Sequence, residues 1–340
     1  MPYLVLRWVS MLMAAALCFC PAGASAKPPT VLRAGIGLNT DTPQGLGLQH
    51  FAHLVERRSE GRLKVELHAG GALGDDLKMV AQLQAGQQDI ACPDRATLAK
   101  MVRAFSTINY PFMFLSEREA DRILDGAWGQ RQLSQLSAYG LVGLAYWENG
   151  FRHMTNNKRA LPTMAAGSGL RMRTMQNQML VDSFMALGFE AVPMPFSKVY
   201  AALADKEVDG QENPLPTILS SRFYEVQRHL TLSSHVYSAF VLLFSKRTWD
   251  SLTPADQRLL QQAAVEARDF QRRMNREVTL AALQQLKAKG MQITTIDARE
   301  SERIRQRLAR VLDSYNRQIG EGSVIDMYLE LSQLRAGRTP

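Results

Sequence analysis

The segment from Pro254 to Lys289 constrains the fold most, because its pattern predicts one uninterrupted helix. Thr253 fits the N-cap position, with Asp256 three residues later as in a capping box. Gly290 follows at the position where helices commonly end. An apolar stripe runs through Leu259, Ala263, Phe270, Met274, Ala281 and Leu286. At 1.5 Å per residue such a helix is roughly 50 Å long, which exceeds one ordinary domain. We therefore expect two lobes that share it.

The first 26 residues have the pattern of a secretory leader. Arg7 is their only charged residue, an apolar run covers Trp8 to Cys20, and residues 24–26 form an A-x-A end. This apolar run is shorter than the roughly 20 residues that span a bilayer. The sequence therefore predicts export to the periplasm and cleavage between Ala26 and Lys27.

The composition of residues 27–340 argues against several classes of protein. Cys92 is their only cysteine, so no internal disulfide can form and core burial has to hold the fold. The full chain has a formal net charge of +8 at pH 7, but its basic residues are mixed with acidic ones. Since no basic run is interleaved with aromatic residues, we predict no nucleic-acid partner. A mildly positive field favours anionic ligands.

Alternating strand and helix patterns predict an α/β fold with two lobes. The first lobe shows strand, helix, strand, helix and strand patterns at 31–37, 43–58, 62–68, 75–85 and 89–92. The second shows strands at 169–175, 190–194 and from Val208, and helices at 181–187 and 198–204. The apolar run 236–245 predicts a buried strand that returns to the first lobe. We assign residues 27–149 and 239–277 to the first lobe, 150–238 and 278–330 to the second, and 331–340 to a tail.

No motif in the sequence identifies an enzyme, a metal site or a cofactor site. The G-I-G at residues 35–37 lacks the third glycine of a dinucleotide-binding loop, since Thr40 stands there. His50 and His53 are three residues apart on a predicted helix, but no CxxC or HExxH accompanies them, so we interpret them as exposed polar residues. Cys92 lies at the end of an apolar strand, where a free cysteine usually behaves as a small buried apolar residue. The sequence identifies no base that would activate it as a nucleophile. The sequence predicts a protein that is not an enzyme and binds no cofactor.

Three polar side chains stand at the ends of predicted strands. Arg152 follows WENGF, Arg173 closes GLRMR, and Asn213 lies in DGQENP. Ligands of open α/β sheets gather outside the carboxyl ends of strands, and a guanidinium matches both oxygens of a carboxylate. Alternation places Arg171 on the same side of its strand as Arg173. Together Arg152, Arg173 and Asn213 indicate a carboxylate site, although a single arginine is more often a surface salt-bridge partner.

An ordered series of motifs extends over most of the chain. These motifs are VELHAGGALGDDLKMVAQLQAGQQDIA (65–91), INYPFMF (108–114), LAYWENGFRHMTN (144–156), GLRMR (169–173), LGFEAVPMPFSKVYAAL (187–203), VDGQENPL (208–215) and FYEVQRHLTLSSHVYSAF (223–240). In them the chain resembles the solute-binding proteins of TRAP transporters, of the dicarboxylate-binding (DctP) type, over roughly residues 31 to 300. The resemblance implies a two-lobed, type II-like periplasmic-binding-protein fold, in which the long helix spans both lobes and the cleft closes on its ligand.

The resemblance also implies roles for individual residues. Arg173 matches the arginine that forms the main salt bridge to the substrate carboxylate, Arg152 a second arginine, and Asn213 an asparagine that fixes the same carboxylate. The further candidates for ligand contact are Phe196, His235, Tyr237, Asn39, Asp94 and Arg95. For Phe196 alone, core packing is the commoner role of a buried aromatic ring. In the first lobe Arg95 would favour a dicarboxylate, whereas Asp94 would favour a sugar acid.

The sequence is therefore interpreted as a monomeric periplasmic protein that captures a small organic acid for the membrane subunits of a TRAP transporter. Two alternatives from other classes stay open. One is a sensor that presents the acid to a membrane receptor kinase. The other is an exported hydrolase, for which the sequence identifies neither a nucleophile nor a metal site.

Overall fold

Two β-sheets that share one long strand form the frame of the molecule. The computed structural model describes residues 28–337, apart from the side chain of Glu321. The predicted leader, residues 1–26, and its cleavage site lie outside these residues. The strands are β1 Thr30–Gly35, β2 Leu63–His68, β3 Ile90–Ala91, β4 Leu141–Asn156, β5 Arg171–Thr174, β6 Glu190–Pro193, β7 Gly210–Pro214, β8 His229–Leu232, β9 Tyr237–Ser245 and β10 Gln292–Thr295.

Helices pack on both of these mixed sheets. The helices are α1 Pro43–Arg58, α2 Asp76–Ala85, α3 Glu117–Asp125, α4 Ala127–Gln135, α5 Gln178–Ala186, α6 Val199–Ala204, α7 Leu215–Ser220, α8 Lys246–Ser251, α9 Pro254–Ala288, α10 Ala298–Ile319 and α11 Glu321–Arg335. None of the described helices combines the length and the apolar character that crossing a bilayer requires.

The strand β4 carries the chain from one lobe to the other. The first-lobe sheet has the order β2-β1-β3-β9-β4, in which β9 runs antiparallel to β3 and β4. Residues 141–151 of β4 pair with β9, whereas residues 152–156 pair with β7 and partly with β8. The second-lobe sheet is β6-β5-β7-β4-β8-β10. All nine residues of β9 are buried, as the apolar run 236–245 predicts.

The helix α9 spans both lobes, as its length predicts. The hydroxyl oxygen of Thr253 accepts the N–H of Asp256 at 3.1 Å, so the helix begins at the predicted cap. Its first half packs in the first-lobe core, and Ala282 and Leu286 pack in the second-lobe core. The predicted stripe is wrong in part, because Ala281 is exposed and Leu259, Phe270 and Met274 are half-buried. The buried residues of the first half are Asp256, Leu260, Ala263, Ala264, Ala267 and Gln271.

The two C-terminal helices correct the predicted lobe boundaries. In α10, Ile304 and Leu308 pack in the second-lobe core, whereas Leu312 and Ile319 pack against the first-lobe core. The buried residues of α11 that complete the first-lobe core are Val324, Met327 and Leu331. Arg335 donates to Glu119 of α3, with Nε 2.9 Å from Oε1. Assigning residues up to 330 to the second lobe and 331–340 to a tail is therefore wrong for α11.

The close packing of α1 on α9 depends on Gly47. A Cβ added there would lie 2.9 Å from both Cβ and Cγ of Gln271 and 2.9 Å from Cζ3 of Trp147. Gln271 is itself fixed, since its amide accepts the N–H of Glu148 at 2.9 Å and donates to the Glu148 carbonyl at 2.8 Å. A larger residue would therefore push α1 away from the helix that spans both lobes.

We expect Gly47→Ala to lower the free energy of unfolding by about 1–3 kcal/mol, even though alanine is the better helix former. Chemical denaturation measures this difference. Gly322→Ala in α11 is the matched control, because an added Cβ there meets no atom within 4 Å, and it should leave stability unchanged or raised. Equal effects of the two substitutions would show that the contact at Gly47 is not limiting.

Candidate functional site

A cavity lies between the two lobes, and the space within it and at its mouth amounts to about 760 Å³, which includes open solvent. Its walls come from the carboxyl ends of strands and from the loops after them, where ligands of α/β sheets bind. The first lobe contributes Leu38, Asp76, Asp94, Thr97 and Phe240. The second lobe contributes Arg152, Arg173, Met194, Phe196 and Asn213, and Asn149 stands on the shared strand β4. Four of the predicted second-lobe residues are thus brought together.

Arg173 is a buried cation that makes no direct ion pair within residues 28–337, although the carboxylates of Glu212, Asp76 and Asp94 are near enough to favour its charge. Its side chain lies on β5 in the cavity wall, and the residue is 3 % exposed. Its hydrogen bonds go only to the carbonyl of Met194, from Nε at 3.1 Å and from Nη2 at 2.8 Å. The guanidinium carbon lies 6.0 Å from the centroid of the Phe196 ring. Burial lowers the pKa of Arg173 to about 10, which still leaves it charged at neutral pH.

Arg152, in contrast, is already paired with Glu212 of β7. Both residues are 1 % exposed. Nε of Arg152 bonds one Glu212 carboxylate oxygen, and Nη2 bonds the other at 2.8 Å. Although burial favours the neutral acid, Arg152 and His235 hold the pKa of Glu212 at about 2. Asn213 accepts from Nη2 of Arg152 at 3.2 Å and donates to Gln211 at 2.6 Å. Glu212 is thus bonded to Arg152 and acts on Arg173 only at longer range.

The first-lobe wall is acidic. Asp94 accepts from the hydroxyl of Ser238 at 2.5 Å and from the N–H of Ala96 at 2.9 Å. Its own N–H donates to Asp76 at 3.0 Å. Asp76 begins α2, and burial raises the pKa of its carboxyl to about 7, although hydrogen bonding from Asp94 acts in the opposite direction. Ser238 also lies 3.5 Å from Nη1 of Arg152, so hydrogen bonds connect the two walls.

Four predicted ligand contacts lie outside the cavity wall. Arg95 is 0 % exposed and donates to the carbonyls of Phe105 and Tyr237 and to Asn109. It therefore holds the first lobe together and cannot pair with a ligand carboxylate. The hydroxyl of Tyr237 lies 3.3 Å from Glu148, on the far side of β9. His235 bonds Ser233 and approaches Glu212 at 3.4 Å, behind the cavity. Asn39 is exposed, and only its carbonyl is used, to bind Thr42.

Other sequence candidates are also placed by the structure. Arg171, on the same strand as Arg173, pairs with Asp209 at 3.2 Å and does not reach the cavity wall. His53 is exposed as predicted, whereas His50 stacks on Phe270 with ring centroids 4.3 Å apart. Burial raises the pKa of the Cys92 thiol, which keeps it protonated. In the part of the chain that the structure describes, no group of three His, Cys, Asp or Glu residues is arranged to hold a metal.

Asp76, Glu212 and Ser238 are the site residues that sequence reasoning missed. The Asp75-Asp76 pair does carry a signal, but one acidic residue at a helix start is fully explained as a cap, and Asp75 fills that role by accepting from Lys78 at 2.8 Å. Glu212 stands beside Asn213 in DGQENP. Its burial can be predicted only once this segment is known to form the buried strand β7. Ser238 carries no signal apart from its place in the apolar run.

Comparison with known proteins identifies the family of the chain. Residues 34–318 match the family described as bacterial extracellular solute-binding protein, family 7 (DctP). The chain therefore belongs to this family, which includes the solute-binding proteins of TRAP transporters. A solute-binding protein of Verminephrobacter eiseniae is 36% identical over 301 residues, which cover 88% of this chain and 89% of that protein. The family predicted from the motifs is confirmed.

Solved structures of related proteins confirm the two-lobed fold. The sugar acid binding protein DctPAm of Advenella mimigardefordensis, solved in complex with galactonate, is 39% identical and superposes with a TM-score of 0.88, over 90% of this chain and 98% of that chain. A TRAP periplasmic solute-binding protein of a Polaromonas species, bound to D-erythronate, is 36% identical with a TM-score of 0.85, over 88% of this chain and 98% of that chain.

The raised pKa of Asp76 has a measurable consequence for stability. Between its ordinary value of 3.8 and about 7 the folded state binds more protons than the unfolded state, so this group makes the protein less stable as the pH rises. We expect Asp76→Asn to raise the thermal midpoint of the ligand-free protein, and to raise it more at pH 8 than at pH 5. Water reaches the cavity and weakens the effect of burial. We therefore expect the stabilisation by Asp76→Asn at pH 8 to exceed that at pH 5 by about 1–2 kcal/mol, which is less than the pKa shift alone would give.

Differential scanning calorimetry of both proteins at both pH values measures this effect. Asp205→Asn, at an exposed position, is the control and should show no such pH-dependent difference. A stabilisation by Asp76→Asn that is equal at pH 5 and pH 8 would contradict the titration of this carboxyl.

Proposed function

We propose that the chain captures a small organic acid in the interlobe cavity and that Arg173 binds its carboxylate. The observation that carries this proposal is the buried guanidinium of Arg173, whose only hydrogen bonds among the described residues go to one carbonyl. A buried charge without a partner is costly, and a ligand carboxylate would remove that cost by pairing with it. Nη1 of Arg173 bonds to none of residues 28–337, which leaves it free to donate to a ligand oxygen.

The first-lobe wall favours a hydroxylated monocarboxylate over a dicarboxylate. Asp76 and Asp94 present carboxyl oxygens, which accept hydrogen bonds from hydroxyl groups and, when ionised, repel a second carboxylate. Oδ1 of Asn149 is buried in the cavity wall and has no partner among the described residues, so it adds a further acceptor. Arg95, the group that would favour a dicarboxylate, is bound elsewhere. Galactonate and D-erythronate, the ligands of the two structural relatives, are both hydroxylated monocarboxylates.

The proposed setting is the periplasm. We infer that the leader is removed after Ala26, that the protein acts as a monomer, and that it delivers its ligand unchanged to the membrane subunits of a TRAP transporter. Family membership supports this setting and favours transport over the receptor-kinase alternative and the hydrolase. Sequencing the N-terminus of the exported protein tests the cleavage, and recovery of the unaltered acid after incubation tests the absence of catalysis.

A thermal-shift panel tests the ligand class. Galactonate and galactarate form a matched pair, because they differ only in the group at the far end, a hydroxymethyl in the first and a second carboxylate in the second. We expect galactonate to bind more than about tenfold more tightly, since like charges placed together cost several kcal/mol. Preference for galactarate, or for succinate, would rule out the proposal that the first-lobe wall favours a hydroxylated monocarboxylate.

Arg173→Ala tests the carboxylate site itself. A hydrogen bond to a charged group contributes about 1.5–3 kcal/mol, so calorimetry with the tightest acid of the panel should show binding weakened by about tenfold to more than a hundredfold. Arg171→Ala is the control, because this arginine lies two residues earlier on the same strand and outside the cavity wall. Unchanged affinity in Arg173→Ala, with Arg171→Ala also unchanged, would refute the assigned role.

A further inference from the structure

One face of α10 consists almost entirely of arginine. At 100° per residue, the positions within an arc of about 80° are 299, 303, 307, 310, 314 and 317. Five of these six positions are arginine, Arg299, Arg303, Arg307, Arg310 and Arg317, and the sixth is Ser314. We call these five residues the arginine face. The apolar residues of α10 lie on the opposite side, where Ile304 and Leu308 pack in the core.

The arginine face is turned to solvent. All five of its arginines are exposed. Arg303 shares its charge with Glu300, at 2.7 Å, and Arg307 donates to the carbonyl of Ala186 at 2.7 Å. The side chains of Arg299, Arg310 and Arg317 have no ion pair or hydrogen bond to any of the described residues. Surface charges are usually mixed in sign, so three uncompensated arginines in one row along a helix are unusual.

The arginine face is long, and the helix that carries it has a fixed position. A helix of 22 residues is about 33 Å long. Since α10 packs against both lobes, its position is fixed by two cores rather than by one. The arginine face also lies outside the ligand cavity, because none of its residues contributes to the cavity wall. The charges of Arg299, Arg310 and Arg317 therefore take part neither in an ion pair of the described fold nor in the proposed ligand site.

We propose that the arginine face docks the protein on a membrane surface rich in anionic phospholipid. Guanidinium groups match phosphate oxygens bidentately, and they keep their charge at any physiological pH. A flat, negatively charged surface suits a straight row of cations better than a single small anion does. This function goes beyond capture of an acid, and it would place the loaded protein beside the membrane that holds its transporter.

Co-sedimentation with vesicles tests the docking. The exported protein is purified from the periplasmic fraction, and its partition is measured on vesicles of equal parts phosphatidylglycerol and phosphatidylcholine and on vesicles of phosphatidylcholine alone. We expect binding to the anionic vesicles only, with loss of binding at about 1 M salt, where charges are screened beyond roughly 3 Å. Because each arginine near an anionic surface contributes about fivefold, the triple variant R299Q/R310Q/R317Q should bind about a hundredfold more weakly.

The triple variant R57Q/R258Q/R273Q is the control, since it removes the same charge from exposed positions on α1 and α9. It should lose less than about threefold, because screening limits the effect of remote charges. Both triple variants should bind the tightest acid of the panel as the wild type does. A failure of the membrane-docking proposal can therefore be distinguished from a failure of the proposed acid binding in the cavity. Equal losses in the two variants, equal binding to both vesicle types, or docking only to an acidic membrane protein would overturn the proposal.

Discussion

The physical constraint on which this molecule depends is one buried positive charge that makes no direct ion pair with any described residue. Arg173 sits in a cavity wall, held by the carbonyl of Met194 and flanked by the ring of Phe196. The neighbouring Arg152 is neutralised by Glu212. The ligand-free protein therefore carries, at one defined place, an unfavourable charge that an anion would stabilise. A protein built only for stability would have paired both arginines.

The fold supplies the rest of the site by bringing two different walls together. Strand β4 runs through both sheets and α9 packs on both cores, so the lobes are joined by continuous elements that can bend. The second lobe offers a guanidinium, and the first lobe offers carboxylates at Asp76 and Asp94. A ligand with a carboxylate at one end and hydroxyls at the other satisfies both walls at once, and by bridging them it favours a closed arrangement of the lobes.

Sequence patterns predicted the elements far better than the directions of side chains. The long helix and the buried strand β9 follow from caps and apolar runs, and the motifs placed Arg173, Phe196 and Asn213 in the cavity. Arg95 stands next to Asp94, yet its side chain turns inward to three acceptors of the first lobe. His235 and Tyr237 likewise turn away. Spacing along a chain does not specify which of two neighbours faces a cavity, and it does not reveal that Glu212 neutralises Arg152.

The most direct measurement is a crystal structure of the protein with the tightest acid of the ligand panel. We expect a ligand carboxylate oxygen about 2.7–2.9 Å from the guanidinium of Arg173, with hydroxyl groups of the ligand donating to the first-lobe carboxylates. A complex in which that guanidinium still bonds only Met194 and water, while the acid is held by other residues, would contradict the central claim.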